Sequence, residues 1–559
     1  MPGLLKCGAK HTDSLTNLAG LGCVGNDLIG YTAKIIFHLP DTMTDSTKPD
    51  SPPAGASPST SISTSISTSS LDPVDAQDWA TLRASGHQML DDMFDYLQNI
   101  RQRPVWQPIP DAARHDFQET LPQQGQSLDQ VYQSFAEQVL PYSIGNVHPG
   151  FMGWVNGGGT PVGMLAEMLA AGLNANLGGR NHMPIVVEQQ VVQWVRELFS
   201  FPDCASGLFV TGTSIANFIA VTVARTRALG QAVRQQGMRE QRLCAYTSAG
   251  AHACVAQALD LSGLGIHALR QIPFNERFEM DLAVLRQTIA DDRAAGWQPF
   301  LLVGTAGSVD VGAIDDLQAL ADIAQQERLW FHIDGAFGAL AMMSPQLAPK
   351  LRGIERADSI AFDFHKWMQV PYDAGFILVR DGALHHDTFA QPATYLRRDT
   401  RGAAAGSPWP CDFGPDLSRG FRALKTWMTI KTYGVERLGQ VMAATCDLAQ
   451  YLLNKIQVCP ELELMAPVNL NIVCFRYRPL KSDDSGSHRE FDLASLNAMN
   501  AELIIQLHES GIALPSATTL GGQLVIRAAL FNHRTQVQDV DGLIAACLRL
   551  GRALRNAAQ

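Results

Sequence analysis

Charged residues are scarce in this chain: only 17% of its 559 residues are Asp, Glu, Lys or Arg, whereas an average protein carries about 25%. The 43 Lys and Arg residues are outnumbered by 54 Asp and Glu residues, which gives a formal net charge of −11. A nucleic-acid-binding protein needs a basic face, so this balance predicts that nucleic acid is not a partner.

Several signatures of other protein classes are also missing. The 10 cysteines include no C-x-x-C pair and no Cys/His cluster at zinc spacing, which predicts reduced thiols, a cytoplasmic location and no metal site. No apolar run reaches the roughly 18 residues of a membrane helix, so we expect no membrane association. No G-x-G-x-x-G motif follows a strand-like run, which argues against a dinucleotide enzyme.

The composition divides the chain. Residues 1–71 include a Ser-, Thr- and Pro-rich tract, and we predict a disordered extension there because such a tract buries too little apolar surface to offset its ordering entropy. Residues 72–150 carry apolar side chains at helical spacing, among them Met89, Met93 and Leu97, which predicts an N-terminal helical segment. Its apolar face packs either on the same chain or on a partner subunit.

Short apolar runs alternate with helical stretches in residues 151–435, for example at 207–210, 300–303 and 329–333. Long helical connections between buried strands are typical of βαβ units. We therefore predict an α/β fold with a mostly parallel central sheet and helices on both faces. The mixture of helices and strands in residues 436–559 predicts a smaller C-terminal α+β domain.

Polar residues follow the strand-like runs, at the strand ends where α/β sheets bind ligands. Thr213 and Ser214 begin a helix after one run, so they could offer hydroxyl and amide groups to a phosphate, or simply cap the helix. Asp334 directly follows another run. Its carboxylate could pair with a protonated ring nitrogen or cap the next element.

Lys366 lies in an otherwise apolar segment, where partial burial would favour the free amine of a Schiff-base lysine. A lysine that extends its charged end into solvent is the alternative. His252 could stack on a flat cofactor or be an ordinary core or turn histidine. In chain order, a phosphate-binding turn, a stacking histidine, a strand-end carboxylate and a lysine are the parts that pyridoxal 5'-phosphate (PLP) requires.

Four motifs resemble the group II PLP-dependent amino-acid decarboxylases, which include aromatic-L-amino-acid, histidine, glutamate and diaminobutyrate decarboxylases. The most specific is Phe-His-Lys-Trp at 364–367, which is similar to the family's N-P-H-K-W box. The others lie at 211–217, 332–336 and 418–425. The resemblance extends from about Asp75 to the C-terminus.

The resemblance implies the PLP-dependent transferase fold type I, with residues 151–435 as the PLP-binding domain, and a homodimer with shared active sites in which residues 72–150 contact the partner. It implies catalytic roles for Lys366 as the Schiff-base lysine, Asp334 at the pyridine nitrogen and His252 on the ring. The other implied contacts are Thr213, Ser214 and His365 at the phosphate, Ala336 and Ser308 near the cofactor, and Phe151, Trp154 and Arg527 toward the substrate.

The implied reaction is decarboxylation of an L-amino acid, interpreted as aromatic, to an amine and CO2. Aromatic-amino-acid and glutamate decarboxylases carry a mobile-loop tyrosine that supplies a proton, but the corresponding residues 401–415 contain no Tyr. His252 is then the candidate donor. Oxidative decarboxylation–deamination to an aldehyde, another PLP reaction such as transamination, and a catalytically weak PLP-binding relative are the alternatives.

Overall fold

A computed structural model describes residues 71–391, 398–480 and 491–557, and the chain from Asp72 to Gln559 forms one compact unit. The predicted disordered extension, apart from Leu71, lies outside the described residues. No helix in these described ranges is long and apolar enough to cross a membrane.

The helices and strands alternate through most of the described chain. The α-helices are α1 (Ala76–Gln98), α2 (Asp111–Asp116), α3 (Leu128–Ser134), α4 (Pro161–Leu173), α5 (Met183–Leu198), α6 (Thr213–Leu229), α7 (Val233–Gln236), α8 (Cys254–Leu261), α9 (Leu282–Ala294), α10 (Leu317–Glu327), α11 (Gly382–Phe389), α12 (Arg422–Gln457), α13 (Leu493–Glu509) and α14 (Val537–Ala557). The strands are β1 (Phe151–Met152), β2 (Ser206–Val210), β3 (Leu243–Ser248), β4 (Leu269–Ile272), β5 (Gln298–Thr305), β6 (Trp330–Asp334), β7 (Ser359–Asp363), β8 (Gly375–Val379), β9 (Leu462–Leu464), β10 (Ile472–Tyr477), β11 (Leu514–Leu520) and β12 (Gln523–Ala529).

A seven-stranded sheet in the order β2-β8-β7-β6-β5-β3-β4 forms the centre. Its neighbouring strands pair in parallel except at β8, which is antiparallel to both of its neighbours. Both faces of the sheet are buried: Phe376 and Leu378 of β8 join one core cluster, while Ile377 and Val379 join the other. Apolar side chains on both faces explain the continuous apolar runs in the sequence and confirm the predicted mostly parallel α/β fold.

A second sheet has five strands in the order β1-β11-β12-β10-β9. Its strands come from the C-terminal part of the chain except β1, in which Phe151 pairs in parallel with Leu514. Residues 151–152 therefore belong to this sheet, although they begin the segment predicted to be the large domain. Helix α12 runs across the predicted boundary at 435–436 and changes direction at Gly434, whose φ is 73°.

The N-terminal helix α1 begins where Asp75 caps it, since the Asp75 side chain accepts hydrogen bonds from the amides of Gln77 and Asp78. None of the residues of α1 is buried in the single chain. The helix therefore exposes its apolar residues, including Trp79, which is 49% exposed, and Leu82, which is 40% exposed.

Candidate active site

The carboxyl ends of β2, β3, β5, β6 and β7 meet at one edge of the large sheet and border a cavity of about 440 Å³. Most of the residues predicted from the sequence line it. These lining residues are Trp154, Thr213, Ser214, His252, Asp334, Ala336, His365, Lys366 and Arg527. The sheet topology thus brings together residues that are far apart in the sequence.

The turn between β2 and α6 forms a small polar recess in this cavity. The Thr213 amide donates a hydrogen bond of 2.8 Å to Oδ1 of Asp363. The Thr213 hydroxyl is buried and has no hydrogen-bond partner among the described residues. An unpartnered buried hydroxyl at the N-terminus of a 17-residue helix fits a bound anion, because the helix dipole and free donors favour negative charge.

Asp334 ends β6 with both carboxylate oxygens engaged. Oδ1 accepts a 3.1 Å hydrogen bond from the Ala336 amide, and Oδ2 accepts a 3.0 Å hydrogen bond from Nδ2 of Asn217. The carboxylate is thus held in one orientation, which fits a role opposite a protonated ring nitrogen.

A chain of hydrogen bonds extends from Asp334 through Asn217 and His332 to Ser359 and Trp330. Burial lowers the pKa of His332 to about 4, so its imidazole is neutral. Because Asn217 donates to Asp334, its Oδ1 accepts from Nε2 of His332 at 2.7 Å. Nδ1 of His332 is therefore the acceptor for the Ser359 hydroxyl at 2.8 Å, and the Ser359 oxygen accepts from Trp330 at 2.8 Å.

Lys366 lies just beyond β7, with its Nζ 2.8 Å from Oδ2 of Asp363. The Lys366 side chain is 22% exposed, so its amine can be reached from the cavity. His365 is buried, and its Nδ1 accepts a 2.9 Å hydrogen bond from the Ala374 amide. Burial lowers the pKa of His365, although the nearby Asp363 carboxylate opposes this shift.

Arg527 is a buried cation in the wall of the cavity. Its Nη1 donates to the Trp154 carbonyl at 3.0 Å and to the Ser516 hydroxyl at 3.1 Å, while Nη2 has no partner among the described residues. Burial lowers the pKa of Arg527, but arginine remains protonated in proteins. A buried, charged and unpartnered nitrogen in a cavity wall fits a substrate carboxylate.

Trp154 and His252 are both exposed to solvent in the site. Trp154 is 49% exposed and has a φ of 46°, a region that is uncommon for a bulky residue. Its backbone is fixed by the bond from Arg527. His252 is exposed, and its Nδ1 accepts a 3.2 Å hydrogen bond from the Cys254 amide.

Two residues predicted from the sequence lie outside the cavity lining. Phe151 is 2% exposed and packs with Val105 and Leu514, because strand pairing in the second sheet turns its side chain into that cluster. Ser308 follows β5, and its hydroxyl oxygen accepts a 3.0 Å hydrogen bond from the Ala313 amide. The single chain therefore places neither side chain on the cavity wall.

Other lining residues were not singled out from the sequence, notably Asp363, Tyr372, Asn156 and Cys254. The Tyr372 hydroxyl lies 3.2 Å from Oδ1 of Asn156, its ring centroid is 4.3 Å from that of His365, and burial raises its pKa to about 12. No periodicity or spacing identifies Tyr372, because it enters the cavity from a connecting loop.

The Gly- and Ala-containing loop at 401–415 does not line this cavity in the single chain. Trp409 of this loop is 1% exposed and lies between the guanidinium groups of Arg180 and Arg398, at 4.7 and 4.4 Å from its ring centroid. Asp412 accepts two hydrogen bonds from Arg398, of 2.5 and 2.6 Å. These contacts anchor the C-terminal part of the loop.

The donor set of the cavity fits PLP. A bound PLP supplies an aldehyde that reacts with an amine and a ring that accepts electrons. The recess at Thr213 offers donors to its phosphate, Asp334 can stabilise a protonated ring nitrogen, and Lys366 offers the amine. The described residues hold no group of three or more His, Cys, Asp and Glu side chains placed for a metal ion. Fold and cavity together define a PLP enzyme of fold type I.

Comparisons with known proteins agree. The family model described as "Pyridoxal-dependent decarboxylase conserved domain" matches residues 110–478. The chain is 32% identical over 466 residues to an aromatic-L-amino-acid decarboxylase of Bacillus atrophaeus, covering 82% of this chain and 93% of that protein. It is 26% identical over 469 residues to a phenylacetaldehyde synthase of Petunia hybrida, covering 82% and 92%.

A solved structure shares the fold: that of Oryza sativa TDC with PLP and tryptamine has a TM-score of 0.78 at 22% identity, covering 87% of this chain and all of that chain. The chain belongs to the pyridoxal-dependent decarboxylase family. It is a PLP-dependent amino-acid decarboxylase, which confirms the predicted family, cofactor and reaction class.

Proposed function

We propose that this enzyme converts an aromatic L-amino acid into the corresponding amine and CO2, with Lys366, Asp334 and His252 as its catalytic residues. The proposal is carried by one observation: the cavity that holds Lys366 and Asp334 also contains Arg527, whose buried Nη2 has no partner among the described residues. A guanidinium there can hold the substrate carboxylate by charge-assisted hydrogen bonds.

The aromatic class is supported by the relatives and by the cavity wall. A tyrosine decarboxylase of Narcissus pseudonarcissus, 26% identical over 482 residues, adds to the aromatic-amino-acid decarboxylase already described. In this chain Trp154 and Tyr372 line the cavity, and aromatic faces favour an aromatic substrate side chain.

Aldehyde formation is the second candidate, because residues 401–415 contain no Tyr and a phenylacetaldehyde synthase is among the relatives. Two side chains of the cavity could instead donate the proton that replaces the carboxyl group: His252 through its imidazole and Tyr372 through its hydroxyl. With such a donor in place, we expect the amine to be the product.

A panel of L-amino acids, assayed together for CO2, amine, aldehyde and hydrogen peroxide, tests the proposal. We expect an aromatic amino acid to give equal amounts of amine and CO2 without peroxide. Equal amounts of aldehyde, ammonia and peroxide would instead establish the second candidate, and turnover confined to acidic or basic amino acids would refute the aromatic class.

Lys366→Ala is the matched variant for this assay. The purified protein should be yellow from its bound cofactor, whereas Lys366→Ala should lack both the colour and the activity because it has no amine to bind the aldehyde covalently. Colourless wild-type protein that takes up no PLP would refute the proposed site.

We also propose that the enzyme is a homodimer, with residues 72–150 as the dimerisation segment, 151–435 as the PLP-binding domain and 436–559 as the small domain. Large apolar side chains are exposed on three helices of the single chain, and an exposed apolar patch is typical of a protein interface. They are Trp79 and Leu82 of α1, Met168, Leu169 and Leu173 of α4, and Met183 and Val186 of α5.

Light scattering at micromolar concentration tests the dimer, and a monomeric mass would contradict it. The proposed cytoplasmic location is supported by the cysteines, since all eight in the described ranges are free thiols and thiols persist in reducing compartments. Fractionation of the native host tests the location, and recovery outside the cytoplasm would contradict it.

A further inference from the structure

A second cavity lies at the amino ends of β5, β6 and β7, at the edge of the large sheet opposite the candidate active site. Its volume is about 670 Å³. Strand β6 separates the two cavities, because Trp330 at its start lines this one and Asp334 at its end lines the other. None of the proposed catalytic residues lines the second cavity, so it has no part in the proposed reaction.

The second cavity is rich in arginine, although the whole chain has a net charge of −11. The charged groups among its described lining residues are four guanidinium groups and two carboxylates. They belong to Arg227, Arg328, Arg356 and Arg380 and to Asp358 and Asp381. The wall of the cavity therefore carries an excess of two positive charges.

The two carboxylates are already engaged by the backbone. Oδ2 of Asp358 accepts a 2.8 Å hydrogen bond from the Phe331 amide, and Oδ1 of Asp381 accepts a 2.9 Å hydrogen bond from the Leu384 amide at the start of α11. Burial raises the pKa of Asp358, although the backbone hydrogen bond and nearby arginines oppose this shift. These carboxylates thus stabilise local backbone structure and offset only part of the positive charge.

Two of the arginines are held by acceptors of the protein. Nε of Arg380 donates to the Ala357 carbonyl at 2.8 Å. Arg356 forms an ion pair with Asp322, and its Nη2 donates to the Gln325 side chain at 2.9 Å. Their guanidinium groups are therefore fixed parts of the cavity wall.

The other two arginines are not held in this way. Arg227 lies in the last turn of α6, and Arg328 follows the last residue of α10. Both are exposed, and neither side chain has a hydrogen bond or an ion pair among the described residues. A helix dipole stabilises a cation at each of these helix ends, but all the donors of both guanidinium groups remain available to a ligand.

We propose that the second cavity is a binding site for a small dianion, either a dicarboxylate or a phosphate monoester. Two guanidinium groups with free donors suit the oxygen atoms of two carboxylates or of one phosphate, because their planar forks bind such groups in pairs of hydrogen bonds. Two negative charges also balance the excess charge of the wall. A ligand bound there stabilises the folded enzyme by mass action.

Isothermal titration calorimetry of the PLP-loaded enzyme tests this inference with two probes, succinate and inorganic phosphate. Loaded protein is used so that the recess at Thr213 does not take up the probe. We expect one saturable site per chain, a higher melting temperature with the probe, and weaker binding as salt is added. Tighter binding of succinate would identify a dicarboxylate site, and tighter binding of phosphate would identify a phosphate monoester site.

The double variant Arg227→Gln/Arg328→Gln should raise the Kd of the bound probe about tenfold or more, because it removes two charged donors. Arg239→Gln/Arg352→Gln is the matched control, since these arginines are also exposed and their side chains form no hydrogen bond among the described residues. Arg239 has a φ of 50°, close to the 57° of Arg328. The control should bind the probe like the wild type, and melting without the probe checks that both variants are folded.

Arg527→Lys separates this site from the catalytic cavity, because it alters the cation there and leaves the second cavity intact. Probe binding should be the same in Arg527→Lys and in the wild type. The inference would be overturned by the absence of saturable binding of either probe at low ionic strength, by an equal loss in the control pair, or by binding that depends on Arg527 and not on Arg227 and Arg328.

Discussion

Asn217 connects the neutral imidazole of His332 to the carboxylate of Asp334, although it lies on a helix one turn beyond the anion recess. Its amide accepts from one partner and donates to the other, so both its orientation and theirs are determined. Buried networks of this kind lose more than one bond when a member is removed. Asn217 is therefore a positioning residue, acting through Asp334.

We expect Asn217→Ala to lower kcat about 10- to 100-fold, because an unsatisfied buried acceptor costs about 1–3 kcal/mol and each 1.4 kcal/mol is about tenfold in rate. The visible spectrum of the bound cofactor should also change its pH dependence, since a loosened Asp334 stabilises the ring proton less. Thr222→Ala is the control, being on the same helix with its hydroxyl bonded to the Phe218 carbonyl. A wild-type kcat and spectrum in Asn217→Ala would contradict the positioning role.

Arg527→Lys should raise KM for the amino acid about tenfold or more, because a lysine loses the planar pair of donors that suits a carboxylate. Inhibition by the product amine should be unaffected, since the amine has no carboxylate. Inhibition constants measured beside KM separate this effect from damage to the cavity. Equal weakening of amino acid and amine would mean that Arg527 acts only by supporting the wall.

The residues that could be predicted from sequence are those next to strand ends, such as Lys366 and Asp334. Strand-like runs locate the sheet edge, and a polar residue directly after such a run must face it. Asp363 could not be recognised in this way because Phe364 follows it, so in the sequence it lies within an apolar segment and not directly after one. Tyr372 reaches the cavity through a loop whose path depends on tertiary packing.

At the scale of elements, β8 and the turn before α6 approach so closely that no side chain fits between them. A Cβ atom on Gly375 would lie 2.4 Å from Cα of Gly212, and real carbon atoms do not come this close. The antiparallel strand β8 thus fixes the height of the anion recess above the sheet. The sequence could not predict this contact, because a glycine requirement arises from two segments together.

Gly375→Ala should therefore destabilise the protein by about 1–3 kcal/mol, the usual cost of overpacking a core, and weaken PLP binding by shifting the recess. Gly172→Ala is the matched control, because a Cβ on Gly172 of α4 meets no atom within 4 Å. Thermal unfolding and PLP titration of both variants check this. If Gly375→Ala had the same melting temperature and PLP affinity as Gly172→Ala, this would contradict the role of the close contact in positioning the recess.

At the scale of the whole molecule, buried neutral histidines make stability depend on pH. Burial lowers the pKa of His332 to about 4 and those of His385 and His533 to about 3, from 6.5 in the unfolded chain. Below pH 6.5 the unfolded state gains protons that the folded state does not, so stability is full above pH 6.5 and falls as the pH drops. Asp315 opposes this, because burial raises its pKa to about 6.

We expect the net loss of stability from pH 7.5 to pH 5.5 to be about 3 kcal/mol, since each of the three histidines contributes about 1.4 kcal/mol per pH unit below its unfolded pKa and Asp315 offsets about 1 kcal/mol. Urea unfolding of PLP-loaded protein at one concentration measures it. His385→Phe should remove about half of the loss, because the ring keeps its contacts with Phe389 and Phe413 without titrating. A variant that kept the full pH dependence would contradict this assignment.

The architecture of the whole molecule could be predicted because two sheets and their helices follow from apolar periodicity. The domain boundaries are harder to derive, since β1 lies in the segment predicted to be the large domain but pairs with β11 near the C-terminus. Phe151–Met152 joins a sheet whose other strands begin at Leu462. Short strands such as this one have too few residues to show a period, and only their partner reveals where they belong.

The hydrogen bond between Arg527 and the Trp154 carbonyl links positions 373 residues apart, so its two partners are synthesised at different times. Ribosomes add about 5–20 residues per second, so Trp154 leaves the ribosome about 20 to 75 s before its partner has been made. For most of that interval β1 has no neighbouring strand, because its partner β11 begins only at Leu514, and the cavity lacks the wall that contains Arg527. A chain interrupted before residue 527 therefore cannot complete the cavity.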